Sequence, residues 1–233
     1  MTDAPSPSAS PEPPVTEPRL SVAVIPVTSF QQNASLITCL TTKKAVLTDP
    51  GGEAEKLIGT VTEAGVTLDA IWLTHGHIDH VGGAADVAAH FGVPIIGPER
   101  SDESLIQGIT AQAAMFGVPD VKVPKIDRWL SAGDSVDVGE QRFDVLFTPG
   151  HAPGHVIFVN HPHRFIVMGD VLFAGSIGRT DLPGSDHATL MKSIFQTVLP
   201  LGDEYQFLPG HGPGSTLGKE RQTNPFLQEG FSP

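Results

Sequence analysis

The chain has a single cysteine among its 233 residues, so no disulfide forms within it and its cysteine content does not call for an oxidising compartment. Cys39 lies in the apolar run 34–40 with no neighbouring base, and it reads as a buried, inert thiol. Cationic side chains are scarce as well. Lys and Arg number 14 against 26 Asp and Glu, a net charge of -12, which two divalent cations would bring only to about -8. That balance excludes a broad phosphate-binding face, and nucleic acid with it, while leaving room for a local basic pocket and a small anionic substrate. No apolar run approaches the length of a membrane span, and the start of the chain lacks the basic segment and apolar stretch of a secretory signal. A cytoplasmic protein that does not engage a membrane is the expectation. No repeat with a period of roughly 20 to 50 residues is visible.

What is present is an ordinary globular balance, 39% apolar and 17% charged, with enough material for one sizeable core. Residues 1–19 gather Pro5, Pro7, Pro11, Pro13, Pro14 and Pro18 among serines and acids, and read as a disordered tail ahead of one domain over 20–233. Short β-type runs follow at 21–27, 34–40 and 44–48, the last closing in the turn Asp49-Pro50-Gly51-Gly52. Ala54, Leu57, Ile58, Val61 and Ala64 then recur at helical spacing up to Gly65. A strand at 70–73 delivers Thr74 and His75, and Ala84, Val87, Ala88 and Phe91 trace the next helix. A further helix is expected from about 101, with Leu105, Ile106 and Ile109 on one side and Gly108 weakening it. The second half repeats the alternation: strands at 143–147, 156–159, 165–168 and 205–208, a helix from about 187 to 199, and a short helix from Leu217 that ends before Pro225. The fold class is α/β.

The chemistry concentrates in Thr74-His75-Gly76-His77-Ile78-Asp79-His80, which places three histidines and an aspartate within six positions on a strand-to-helix turn. A turn presents alternate side chains to one side, so His75 and His77 converge on one ion while Asp79 and His80 address a second. Further ligands are expected from His151, Asp170 and His211, each following an apolar strand and flanked by glycine. Imidazole and carboxylate ligands of this kind suit zinc first, with iron or manganese as alternatives, and a carboxylate bridges two ions through its two oxygens. Asp170 is the bridging candidate. The remaining histidines read otherwise: His90, His161, His163 and His187 as solvated surface residues, and His155 as a structural hydrogen-bonding group.

Asp49, the His75–His80 motif, His151, Asp170 and His211 together resemble the five-motif signature of the metallo-β-lactamase superfamily, over residues 20–233. Thr148-Pro149-Gly150-His151-Ala152-Pro153-Gly154-His155, Gly178-Arg179-Thr180-Asp181 and Asn224-Pro225-Phe226-Leu227 resemble its short bacterial type II glyoxalase branch, the hydroxyacylglutathione hydrolase-like enzymes. The resemblance implies a four-layer αββα sandwich with the metal site at one edge of the two sheets. It also implies that His75, His77 and His151 hold the first ion, that Asp79, His80 and His211 hold the second, and that Asp170 bridges them. Asp49 would orient a ligand from behind. Asp79 and Asp170 are the carboxylates expected to take part in catalysis. Arg179, close after Asp170 in sequence, would clamp a substrate carboxylate or else pair with Asp181.

The chemistry so implied is hydrolysis of S-lactoylglutathione or a related thioester, because paired divalent ions lower the pKa of a water towards neutrality and polarise the carbonyl it attacks. A thiolate leaves without a dedicated general acid, since a free thiol has a pKa of about 8.5. The sequence stops soon after Asn224-Pro225-Phe226-Leu227, without the C-terminal helical extension of full-length glyoxalases, so another thioester is the alternative physiological substrate. Two rival functions are weighed on the same residues. One is a persulfide dioxygenase with a single iron held by His75, His151 and Asp170. The other is a non-catalytic metal-binding module, against which the complete ligand sets argue.

Overall fold

The structure, a computed structural model, describes residues 19–118 and 120–228. The tail expected at 1–19 therefore lies, apart from Arg19, outside the described residues. The first half forms a six-stranded sheet in the order β1 (Leu20–Val27), β2 (Gln32–Cys39), β3 (Lys44–Thr48), β4 (Thr67–Trp72), β5 (Ile95–Glu99) and β6 (Arg128–Leu130). β1, β2 and β3 pair antiparallel and the rest parallel. Helix α1 (Ala54–Glu63) joins β3 to β4, and α2 (Ile78–Val81) and α3 (Ala84–Phe91) join β4 to β5. Between β5 and β6 run α4 (Glu103–Gln107) and α5 (Ile109–Phe116), separated at Gly108. The single helix expected from 101 is thus two short ones, broken where glycine makes helical backbone least favourable.

The second half forms another six-stranded sheet, built from β7 (Ser135–Val138), β8 (Gln141–Phe147), β9 (Val156–Asn160) and β10 (Phe165–Gly169). A small hairpin of β11 (Leu172–Phe173) and β12 (Ser176–Ile177) stands apart, and β13 (Gln206–Pro209) and β14 (Ser215–Thr216) complete the order β14-β13-β10-β9-β8-β7. Helix α6 (His187–Ser193) opens with Asp186, whose side chain accepts from Thr189 N, a normal N-terminal cap. The helix expected over 187–199 changes pitch instead of running straight, passing into a π turn at Ile194–Val198 and a 3-10 turn at Leu199–Leu201. The chain then ends its described part in α7 (Leu217–Thr223) and α8 (Pro225–Gln228), with Pro225 opening the second helix where its missing N–H costs nothing.

Three apolar clusters show the layering. One fills the space between the sheets, with Trp72 of the first sheet packed edge-on to Phe143 and tilted against Phe158 of the second, at ring separations of 5.3 and 5.1 Å. A second cluster joins the outer face of the first sheet to α1, α3 and α5 through Leu47, Leu57, Val61, Ile71 and Val87. A third joins the second sheet to α6 and α7 through Ile157, Ile166, Leu190, Ile194 and Leu217. Strands buried on both faces read as continuous apolar runs, as in Val156-Ile157-Phe158-Val159. This is the four-layer αββα sandwich, two sheets face to face with helices outside each.

The sandwich brings the loops that carry the expected ligands to one edge. β8 and β10 each pair antiparallel with β9 and so share a direction, and β13 runs parallel to β10. The segments carrying His151, Asp170 and His211 therefore emerge at the same end of the second sheet. The His75 segment meets them there from the first sheet, where Val156 N donates to Thr74 O at 2.9 Å and stitches the sheets together.

Candidate metal centre

Four of the five histidines expected at the centre are fixed by a partner at one nitrogen, which decides what the other nitrogen offers. His151 Nδ1 donates to the Arg179 carbonyl at 2.9 Å and His211 Nδ1 donates to the Phe30 carbonyl at 3.1 Å. A carbonyl only accepts, so Nε2 is the free ligand atom of both rings. His80 Nδ1 stands 2.9 Å from Asp49 Oδ2, which likewise leaves Nε2. His75 Nδ1 lies 3.1 Å from Thr74 Oγ1, whose own proton goes to Asp49 Oδ2 at 2.6 Å. His77 points the other way, its Nδ1 facing His151 Nε2 at 3.0 Å.

The freed atoms converge. The ligand atoms of His75, His77 and His151 lie within 4.8 Å of one another, and so do those of Asp79, His80 and His211. Asp170 stands between the sets, with Oδ1 3.4 Å from His80 Nε2 and Oδ2 3.6 Å from both His151 Nε2 and His211 Nε2. Gly210 permits this approach, because a Cβ there would sit 2.0 Å from Asp170 Oδ1. His75 Nε2, His80 Nε2 and Asp170 Oδ1 are buried without a hydrogen-bond partner. Buried polar atoms are rarely left so, and these three, one histidine from each set with Asp170 between them, belong to residues whose ligand atoms lie within 4.8 Å of one another, as donors to metal would. The residues present therefore fit a metal centre.

Electrostatics agree with that fit. Burial, and then neighbouring imidazoles, push His75, His77 and His155 below the usual histidine range, His77 to about 4. Burial also lowers His151, although Asp170 and the Arg179 carbonyl partly oppose it. These rings are neutral at pH 7, the form that binds metal. Burial works against a proton on His80 too, but Asp170, Asp79 and Asp49 outweigh it and hold that proton well above the ordinary range. His211 is raised likewise, with Asp79 as the leading opponent of burial. Burial would raise both Asp79 and Asp170, yet the charge on His80 outweighs it, and both carboxyls lie below their usual range. His80 and His211, facing Asp79 and Asp170, thus hold protons where the cluster is short of positive charge.

Other expected residues fall around this centre. Asp49 is buried and accepts from Thr74 N at 2.7 Å as well as from His80. His155 is buried, stacks on His75 and accepts from Asp170 N at 3.0 Å through Nε2, with Nδ1 near Thr148 Oγ1. The Arg179 guanidinium is exposed and paired bidentately with Asp181 at 2.7 Å through Nε and NH2, so only its backbone carbonyl touches the centre. His90 and His187 are exposed, and His161 pairs with Tyr205 and Asp144 away from the centre. Asn224 donates to the carbonyls of Phe173 and Ser176 at 3.3 and 2.9 Å, holding the β11–β12 hairpin whose Phe173 ring lies 6.3 Å from His211. Sequence reasoning missed Thr74, which relays between His75 and Asp49, and Asp102, which accepts from Gly76 N and Gly154 N. Thr74 was legible as the residue next to His75; Asp102 had no local signal.

A sequence profile of the metallo-beta-lactamase superfamily matches residues 27–219. Hydroxyacylglutathione hydrolase GloC of Haemophilus influenzae is 44% identical over 209 residues, covering 89% of this chain and 98% of that one. Among solved structures, BLEG-1 B3 metallo-beta-lactamase superposes with a TM-score of 0.83 at 36% identity, over 89% of this chain and 100% of the other. TTHA1623 in a di-iron-bound form gives 0.79 at 38% identity, over 88% and 100%. With the sandwich, the two converging ligand sets and these likenesses in agreement, the chain belongs to the metallo-beta-lactamase superfamily of metal-binding hydrolases.

Proposed function

We propose that the protein is a thioester hydrolase of the type II glyoxalase kind, acting on S-lactoylglutathione or a related thioester. The observation that carries this reading is the pair of ligand sets flanking Asp170, whose two oxygens face different histidines. The 44% identity to GloC and the likeness to a protein with a di-iron form support it. In this reading His75, His77 and His151 hold one divalent ion, Asp79, His80 and His211 hold the other, and Asp170 serves both. Zinc is the first candidate, with iron or manganese as alternatives. Such ions supply Lewis acidity, lowering the pKa of a water and polarising a carbonyl.

The chain's own groups prepare that chemistry. Asp49, Thr74, Phe30 and Arg179 fix ring orientations through the nitrogen each histidine does not offer. Asp79 and Asp170, ionised at neutral pH, offset the charge of the cations. Arg179, whose backbone borders the centre, recruits a substrate carboxylate by exchanging its partner Asp181. The thiolate departs without a proton donor, which suits a centre whose histidines are all committed. The protein is read as cytoplasmic, acting on a small molecule. Thioester cleavage with no oxygen uptake, assayed beside oxygen consumption on glutathione persulfide, tests the reading. Oxygen uptake without thioester cleavage sinks it in favour of the dioxygenase.

A further inference from the structure

Asp102 is fully buried, far in sequence from every expected ligand, and belongs to neither ligand set. Its carboxylate accepts two hydrogen bonds, both from backbone amides: Oδ2 from Gly76 N at 2.8 Å and Oδ1 from Gly154 N at 2.5 Å. Gly76 lies between His75 and His77, and Gly154 lies between His151 and His155. One side chain therefore spans the two loops that present the first ligand set. The fit is tight on both sides. A Cβ on Gly76 would come within 3.1 Å of Leu105 and Ile106, and one on Gly154 within 2.7 Å of Asp102 N and 2.4 Å of Glu99 O. Glu99 N donates to Gly154 O at 3.0 Å, so the backbone before Asp102 grips the same loop.

Two converging N–H groups need two acceptor atoms in fork geometry, which a carboxylate has and a carboxamide lacks. Burying a carboxylate without a cation costs free energy, so its use here calls for a gain elsewhere. We propose that Asp102 is a positioning residue that sets the spacing between the His75–His77 loop and the His151 loop, and thereby the affinity of the first metal site. The inference rests on reading His75, His77 and His151 as one ligand set. The second set depends on other anchors: His80 on Asp49, His211 on the Phe30 carbonyl, and α2 on Gln112, whose Oε1 accepts from Ile78 N at 3.2 Å. Loss of Asp102 therefore acts on one site and spares the other.

The test uses the full chain, stripped of metal and titrated with cobalt(II), followed by calorimetry and by the visible absorption that reports coordination geometry. Asp102→Asn turns one acceptor into a donor facing an N–H; Asp102→Ser leaves space for water to bond both amides, and carries the test if the Asn variant fails to fold. The expected result is that the binding event also weakened in His77→Ala weakens about tenfold or more, with an altered cobalt spectrum, while the other event stays within about threefold. Equal weakening of both events, or of neither, overturns the proposal. If the wild-type chain binds no pair of ions, the ligand reading fails instead. Asp102 is then judged by amide hydrogen exchange in the wild type: slow exchange at Gly76 and Gly154 supports its grip on the two loops, and fast exchange at either overturns it.

Discussion

The Asp49 carboxylate stands 2.9 Å from His80 Nδ1, and that contact selects which nitrogen His80 presents to the centre. The same carboxylate holds Thr74 through its amide and its hydroxyl, and Thr74 in turn meets His75, so one buried acid orients a histidine of each ligand set. Asp49→Asn keeps the size but places an N–H against the His80 N–H, which favours the opposite tautomer. Metal affinity at the second site should fall about ten- to hundredfold. Sequential metal titration checks this, and unchanged affinity would show that Asp49 does not govern His80.

The metal-free protein should be most stable near pH 6.5. Below that value an unfolded chain protonates its histidines, whereas folded His77 resists until about pH 4 and His75, His151 and His155 are lowered as well. The unfolded state then binds more protons, and acid favours unfolding. Asp102, raised to about 6 by burial, opposes this with one proton against several. Above pH 6.5 the order reverses, because folded His80 and His211 keep protons that the unfolded chain has released, and their contribution fades as pH climbs through their raised values. A net difference of one proton is worth about 1.4 kcal/mol per pH unit. Urea midpoints of chelator-treated protein at pH 5, 6.5 and 8.5 measure the profile. A midpoint that rises on going from 6.5 to 5 would contradict it.

Arg179→Ala should raise KM for glutathione thioesters and leave a small neutral thioester nearly untouched, with metal content unchanged. A charge-assisted bidentate contact is worth about 1.5 to 3 kcal/mol. Exchange with Asp181 offsets part of this, so the loss in kcat/KM belongs near the lower end, about tenfold. Asp181→Ala should act in the opposite direction by freeing the guanidinium. Equal losses on both substrates would make Arg179 structural.

The periodic elements were legible. Helix α1 spans 54–63, as its apolar spacing and Gly65 indicate, and the strands bearing His75, His151, Asp170 and His211 lie where their apolar runs place them. β5, β6, β7, β11, β12 and β14 were not, because five of them have two to four residues, too little pattern to register, and β5 carries Gly97-Pro98, which reads as a turn. The seven candidate ligands could be named from the sequence because their residue types and flanking glycines are unusual together. Asp102 could not, since its partners are 26 residues before it and 52 after, and only the folded sandwich brings them together. Arg179 shows the complementary limit. Its place beside the centre followed from the sequence, but the direction of its side chain did not, because Asp181 two residues on is an equally good partner.

The central claim is a pair of ions sharing Asp170, and counting metal in the active protein tests it most directly. After reconstitution with zinc, iron or manganese and removal of loose ions, elemental analysis should find close to two ions per chain in protein that cleaves thioesters at its full rate. A stoichiometry that stays near one while activity is complete would contradict the account, and would leave the second ligand set of Asp79, His80 and His211 without its proposed role.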